Sequence, residues 1–347
     1  NRLNMELYYK FGSYHIAIEL VRGLFPNGED KPPRLKNESA QAWALNALAN
    51  YYGSSGQPRL GLPLYERQNK LRDKAGDKLN LAVGLSNLGA VVQNPIGELD
   101  AAEANLRRSI EICREIKDEF WKAVGHQELG RLLVYRGKFE KSKKELMIAL
   151  KLFTKRHEVQ SQGLIWAYRS LHAHLMHNPK EALEHARKAY EIADAEKIVR
   201  DIIRAEYLLG AAHLMKGNLH EAEKHLNEAL IRDRKINMVD LEPDILLELD
   251  KLRFKQNHKP EEILKIAHEA LHIADRCEYR LKQADIHNFL AEFYLDAGDL
   301  PKARQHGEIA KERAGCGYVP AMEKAKKLLM EIPHKKHLEV LIKVSIN

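Results

Sequence analysis

The stretch LGRLLVYRGKFEKSKKELMIAL, residues Leu129–Leu150, holds two helical patterns and the turn between them. Gly130 lies inside the first pattern, where a glycine costs about 1 kcal/mol relative to alanine. Gly137 ends that pattern. A second apolar series follows at once in Phe139, Leu146, Ala149 and Leu150. A glycine tolerated within a helix points to a second helix that approaches too closely for a side chain.

The same arrangement recurs along the chain. The Leu-Gly pair at 129–130 has counterparts at Leu88-Gly89 and Leu209-Gly210, and small-residue versions at Leu48-Ala49 and Leu290-Ala291. GKFEKSKKELMIA (137–149) aligns with GELDAAEANLRRS (97–109), GNLHEAEKHLNEA (217–229) and GDLPKARQHGEIA (298–310). Within these second halves Gly61, Ala102, Ser142, Ala182, Ala222, Ile263 and Ala303 form one landmark series, with steps of 40 or 41 residues. Ala17 in GSYHIAIELVRG (12–23) belongs to an earlier copy. A period of this length is the signature of a stacked helix–turn–helix solenoid, so about eight units are expected, each touching only its neighbours.

The pattern L-G…G-x-[LF]-x-x-A-x-x-x-L-x-x-A, repeated in register, resembles the tetratricopeptide repeat family over nearly all of residues 1–317. The resemblance implies an all-α, right-handed superhelix. Its usual unit is about 34 residues. The longer unit here looks like that of kinesin light chain, and of the sensor domains of STAND-type regulators. The expected organisation is a superhelix over 1–317, with a truncated first unit at 1–25, a loop at 26–37 and repeats over 38–317. A capping helix over 318–332, stopped by Pro333, and a basic, strand-like tail at 333–347 complete it. GSSGQPRLGLP (53–63) reads as a long turn, and Val340, Ile342, Val344 and Ile346 alternate as a strand would.

Composition agrees with a helical protein. The 347 residues are 44% hydrophobic and 30% charged but only 7% aromatic. No apolar run of membrane-spanning length occurs, and no secretion signal is visible. Cys113, Cys277 and Cys316 form neither a metal spacing nor a disulfide framework, so the expected location is cytoplasmic. The net charge is +7, yet residues 301–347 hold ten Lys/Arg against five Asp/Glu. The basic excess is thus a tail rather than a groove, which argues against nucleic acid as the partner. The opening NRLNMELYYKFGSY, without an initiating methionine, suggests a piece of a longer protein.

Motifs for chemistry are few. HEALH (268–272) matches a zinc-protease pattern in which His268 and His272 bind metal and Glu269 is the base. Ala270, however, stands at the repeat's packing position, and no third ligand is apparent. His172 and His174 point to different sides of a helix. No phosphate loop, nucleophile elbow or dinucleotide fingerprint is present. No enzyme activity, cofactor or metal is expected. A zinc hydrolase at HEALH is the rival reading.

The resemblance implies that first helices line a concave face. Residues beside the Leu-Gly pair then become the candidate binding set: Asn46, Asn50, Asn87, Gln127, Arg131, Tyr135, Arg204, Tyr207, Asn288 and Glu292. Asn50 and Asn87 fall where peptide-binding members hold a peptide backbone, a task suited to an amide that both donates and accepts. The basic residues of the chaperone-type carboxylate clamp are replaced by Asn46, Val124 and Glu128. Arg131 with Tyr135, and Arg204 with Tyr207, can grip an anionic or aromatic ligand, joined by Trp166 and Tyr168. The expected function is a module that binds a protein or peptide segment, or a small-molecule effector. It would be the sensor or scaffold region of a larger STAND-type signalling protein whose ATPase lies N-terminal. A generic assembly scaffold is the alternative.

Overall fold

The computed structural model describes the backbone of residues 14–346 and the side chains of residues 14–332. The first part of the truncated unit, residues 1–13, lies outside the described residues. Helix α1 (Tyr14–Arg22) precedes seven helix pairs. These are α2 (Glu38–Ser54) with α3 (Pro58–Lys74), α4 (Lys78–Asn87) with α5 (Leu99–Glu115), and α6 (Glu119–Tyr135) with α7 (Phe139–Lys155). There follow α8 (Val159–Leu175) with α9 (Pro179–Glu196), α10 (Val199–Met215) with α11 (Leu219–Ile236), and α12 (Glu242–Lys255) with α13 (Pro260–Arg276). The last pair is α14 (Arg280–Asp296) with α15 (Leu300–Ala314), and α16 (Val319–Ile346) closes the array. No strand occurs among the described residues. The chain is an all-α superhelix of the tetratricopeptide type.

The close approach inferred at Gly130 is present. A Cβ there would stand 2.7 Å from Leu146 Cγ, and one on Gly210 would stand 2.5 Å from Leu226 Cγ. Ser142, the landmark residue of α7, donates to the Gly130 carbonyl at 2.8 Å, tying the two helices where they are nearest. The remaining turn chemistry is local. Gly137 ends α6 with φ +65°, and Asp118 Oδ1 accepts the Trp121 N–H at 2.8 Å to start it.

One unit carries an extra residue between its packing glycine and its turn glycine: Gly89 to Gly97 is one residue longer than Gly130 to Gly137. The backbone absorbs it by widening into a π-helix over Leu88–Gln93. The chain then bends through Asn94 and Pro95, and the Pro95 carbonyl accepts the backbone N–H of Arg280 at 3.0 Å.

That bond corrects the expectation of purely neighbour-to-neighbour contact. Early turns meet late ones. A Cβ on Gly56 would lie 2.7 Å from Cys277 Sγ, one on Gly97 would lie 2.7 Å from Arg280 Cδ, and one on Gly137 would lie 2.9 Å from Val319 Cγ1. Arg59 pairs with Glu278 across the same seam, and Arg200 donates to Tyr14 Oη at 3.1 Å. Units of nearly equal length repeat one rotation, and the accumulated rotation brings the ends of the array together.

Three further expectations change. The long turn over 53–63 is only residues 55–57, because Pro58 is accommodated in the first turn of α3, where its missing N–H costs nothing. Pro63 lies within α3. Pro333 does not stop α16, and the strand-like tail is helical to Ile346. Leu338, Leu341 and Ile342 fit a helical i, i+3, i+4 spacing as well as the alternation, and one proline removes only one intrahelical hydrogen bond. The 26–37 loop is pinned, with Tyr52 Oη donating to Glu29 Oε1 at 2.6 Å.

The α12–α13 pair departs from the others. Leu249-Asp250 stands where Leu209-Gly210 stands one unit earlier, and Ile263 replaces the small landmark residue. Asp250 is fully buried with neither carboxylate oxygen hydrogen-bonded, and so is Asp233 at the end of α11. Burial pushes their carboxyls up to about 8 and about 9.

Two outcomes follow from this packing. Gly130→Leu would force α6 and α7 apart and lower stability by about 1–3 kcal/mol in chemical denaturation; a neutral result would misplace the glycine. For Asp250, the folded state holds a proton that the unfolded chain has already lost between its ordinary value of 3.8 and about 8, so stability falls as pH rises through that window. Asp250→Asn should therefore melt with the parent at pH 4 and progressively above it towards pH 8. A gap that does not change with pH would contradict the buried, uncharged carboxyl.

Candidate functional site

Counted from the packing residue of each first helix, positions −6, −2, +1 and +5 are three or four residues apart and share one face. That face turns inward. Arg204, Asp244 and Asp285 occupy position −6 in α10, α12 and α14. Tyr168, Leu208 and Glu248 occupy −2, and Arg131, Leu171 and Lys251 occupy +1. All nine line a single cavity of about 180 Å³, closed further by Asn94 and Pro95 from the π-turn, Asp240 and Tyr279 from two interhelical turns, and Tyr318 at the start of α16.

The wall is aromatic and charged. Tyr135 and Tyr318 meet edge to face, 5.4 Å between centroids, and the Arg131 guanidinium stands 5.3 Å from the Tyr168 ring centre. Each lining cation already has a carboxylate. Arg131 pairs with Glu128 at 2.8 Å, Arg204 with Asp201 at 3.1 Å, Lys251 with Glu248 at 2.6 Å, and Lys282 with Asp244. Burial drives Asp285 up to about 6 and raises Asp244. At Glu248 burial opposes ionisation, but the Lys251 ammonium and His174 outweigh it and hold the carboxyl below its ordinary value. Burial lowers His174, favouring its neutral form, and raises the Tyr135 and Tyr207 phenols.

The sequence-selected residues divide into two groups. Arg131, Tyr135, Arg204 and Tyr207 come together on the cavity wall, with Tyr168. The other six lie elsewhere. Asn50 is committed within its own unit, donating to the Asn46 carbonyl at 2.9 Å and accepting from Tyr65 Oη at 2.8 Å. Asn46 and Asn87 are half-buried in α2 and at the end of α4. Gln127 is buried and donates to Glu128 at 2.8 Å. Asn288 donates to the Ala321 carbonyl at 2.9 Å and so holds α16. Glu292 pairs with Lys324 at 2.7 Å on a wider groove of about 840 Å³, which shares Leu175 with the cavity and is walled by α16. Trp166 packs against His185 outside the cavity. The acids Asp240, Asp244, Glu248 and Asp285 were missed, although stepping Arg204 by 40 and then 41 residues reaches Asp244 and Asp285.

At HEALH, Ala270 is fully buried, Glu269 pairs with Arg234, and His268 and His272 are exposed. Among the described residues no group of three His, Cys, Asp or Glu side chains is arranged to hold a metal, and no helix is long and apolar enough to cross a membrane.

No protein-family model matches the sequence, and no curated protein matches it significantly. Solved structures do share its fold. A Rap protein complexed with competence and sporulation factor is 16% identical with a TM-score of 0.60, covering 96% of each chain. The apo form of RapI is 12% identical with a TM-score of 0.57, covering 91% of this chain and 99% of that one. Yeast Tom70 is 16% identical with a TM-score of 0.50, covering 93% of this chain and 70% of its own. At such identities the likeness establishes the tetratricopeptide-type fold.

Tyr318 Oη donates to Asp285 at 2.9 Å and favours its ionised form. Removing that donor in Tyr318→Phe should raise the Asp285 titration above its present value near 6, as read by carboxyl-carbon NMR. A lower or unchanged midpoint would contradict the geometry.

Proposed function

We propose that this chain is a non-catalytic binding module whose ligand seats in the cavity lined by its first helices, and that it serves as the sensor or scaffold region of a larger signalling protein. One observation carries the reading: five successive first helices direct charged and aromatic side chains into one recessed, partly open space. Concave, partly apolar sites with a few convergent polar groups are the usual form of ligand pockets. The cavity suits a small effector or a single side chain. The adjoining groove has room for the rest of a peptide segment. A protein of the same fold has been solved in complex with competence and sporulation factor, which supports a bound partner for an array of this kind.

Signalling requires differential affinity between two states. Here the cavity wall includes Asn94, Pro95, Asp240 and Tyr279, which border the seam between early and late turns. A ligand touching both sides would favour the closed array. An N-terminal ATPase of the STAND type is the partner domain this reading supposes.

A thermal-shift screen of short peptides and small metabolites tests it. Hits should stabilise the parent and the exposed-surface control Lys143→Ala, and bind at least about tenfold more weakly to Arg204→Ala and Tyr207→Ala. Hits that survive both cavity changes but are lost in Asn87→Ala would move the site to the asparagine face and overturn the cavity reading.

A further inference from the structure

The repeat sets one pair of side chains at the same spot in several units: position −4 of the first helix and the second-helix residue 19 places later. In α6–α7 the pair is His126, whose Nδ1 donates to Glu145; in α10–α11 it is His225, whose Nδ1 donates to Glu206. In α14–α15 both members are histidines. His287 and His306 stand with their Nδ1 atoms 2.9 Å apart, their ring centres 5.1 Å apart and their planes 29° from parallel. The centre-to-centre distance is nearly that separation plus the two ring radii, so the nitrogens point straight at each other. A metal ion on that line would need about 4 Å between the nitrogens, so the contact is a hydrogen bond. One ring donates Nδ1–H and the other accepts on a bare Nδ1, which requires opposite tautomers.

The surroundings offer an added proton no counter-charge. His287 is buried and His306 half-buried. The charged and titratable groups that act on the pair are Arg313 and Lys302 of α15 and His268 of α13. From α14 the Tyr294 ring stacks on His306 at 5.4 Å, and α16 brings the apolar Leu329 against Gly307. The nearby acids are engaged: Asp299 with Lys302 at 3.2 Å, and Glu312 with Arg313 at 3.7 Å. Among the described residues no carboxylate acts on either imidazole. Burial first, then His306 and Arg313, push His287 down to about 4; burial, then His268 and Lys302, lower His306. Two earlier units set a carboxylate against the imidazole, and this one sets a second imidazole there.

We propose that the His287–His306 bond is a proton-sensitive latch: proton uptake below neutral pH breaks it, parts α14 from α15 and loosens the seating of α16. One added proton is an uncompensated charge among cations, and two set N–H against N–H. The residues next to the pair hold α16. Asn288 donates to the Ala321 carbonyl at 2.9 Å, and Gly307 leaves room for Leu329, whose Cδ2 would stand 2.8 Å from a Cβ there. In turn α16 walls the wide groove and brings Tyr318 to the cavity. At the α6–α7 and α10–α11 pairs a protonated imidazole faces Glu145 or Glu206 and completes an ion pair, so the device acts on one end of the array. Once parted, the rings regain their ordinary value of 6.5, whereas the paired His287 takes its proton near 4. The latched state is therefore fully favoured above 6.5 and loses its advantage as pH falls from there towards about 4. The latch is independent of what the cavity binds.

Hydrogen exchange of the full chain, corrected for the intrinsic rate at each pH, reads the latch. Between about pH 7 and about pH 5 the opening of α14, α15 and the start of α16 should rise at least about tenfold, while that of α6 and α7 changes less than about threefold. His306→Glu rebuilds the imidazole–carboxylate pair of α6–α7 and should abolish or reverse the rise. If that variant fails to fold, nitrogen NMR of the imidazoles in the parent decides. One of His287 and His306 should carry its proton on Nδ1 and the other on Nε2 above neutral pH, and both should charge only below the ordinary value of 6.5. No local rise in the parent, a rise shared equally by α6–α7, an equal rise in His306→Glu, or two rings of the same tautomer would overturn the latch.

Discussion

How closely the two helices of a pair can approach sets everything else in this chain. At Gly130 and Gly210 the partner leucines, Leu146 and Leu226, occupy the space a Cβ would need. The contact fixes the crossing of each pair, and because the units are nearly equal in length, the same step is applied repeatedly. The accumulated rotation points one stripe of every first helix inward. It also carries the turns at Gly56, Gly97 and Gly137 onto residues from the far end of the array, again at positions where a side chain would collide. Glycine thus acts twice, within units to set the step and between distant units to let the coil close.

Closure changes the chemistry of the inward stripe. In an open solenoid Arg204, Asp244 and Asp285 would be solvated groups on a concave surface. Recessed, they lose water, carboxyls such as Asp285 are driven up, and cations persist by pairing with acids. The atypical α12–α13 pair contributes to this wall. Its Asp250 stands where other units place a packing glycine, alanine or serine, while Asp244, Glu248 and Lys251 of the same helix face the cavity. The least regular pair is therefore the one with most polar contact to the site.

Much of the fold was legible because repetition makes each position appear several times. The landmark series from Gly61 to Ala303 located the helix pairs, and Gly130 announced its own packing. Cavity residues were legible chiefly where a Leu-Gly pair marked the register: Arg131, Tyr135, Arg204 and Tyr207 were found beside such pairs, and Tyr168 was named with them from a unit that lacks one. Asp244 and Glu248 escaped because Leu249-Asp250 hides the mark, and Tyr279 and Asp240 because they lie in turns. Closure itself left no local signal. It depends on the sum of small rotations, and its one sequence trace, the extra residue between Gly89 and Gly97, acquires meaning only when the π-turn places Pro95 against Arg280. The tail was misread because its apolar residues satisfy two periods at once.

Covalent trapping of the seam tests the closed array most directly. A cysteine at position 56 would place its Cβ beside the Cys277 Sγ, despite the wide separation of the two residues in sequence. With Cys113 and Cys316 replaced by serine, Gly56→Cys should form an intramolecular disulfide with Cys277 under mild oxidation of the folded protein, detected by peptide mapping and altered mobility without reductant. The positive φ of Gly56 makes this position a demanding one for cysteine, so formation of the bond would mean that the two turns are truly in contact. A folded monomer in which both thiols stay free and reactive would contradict closure, and with it the recessed site.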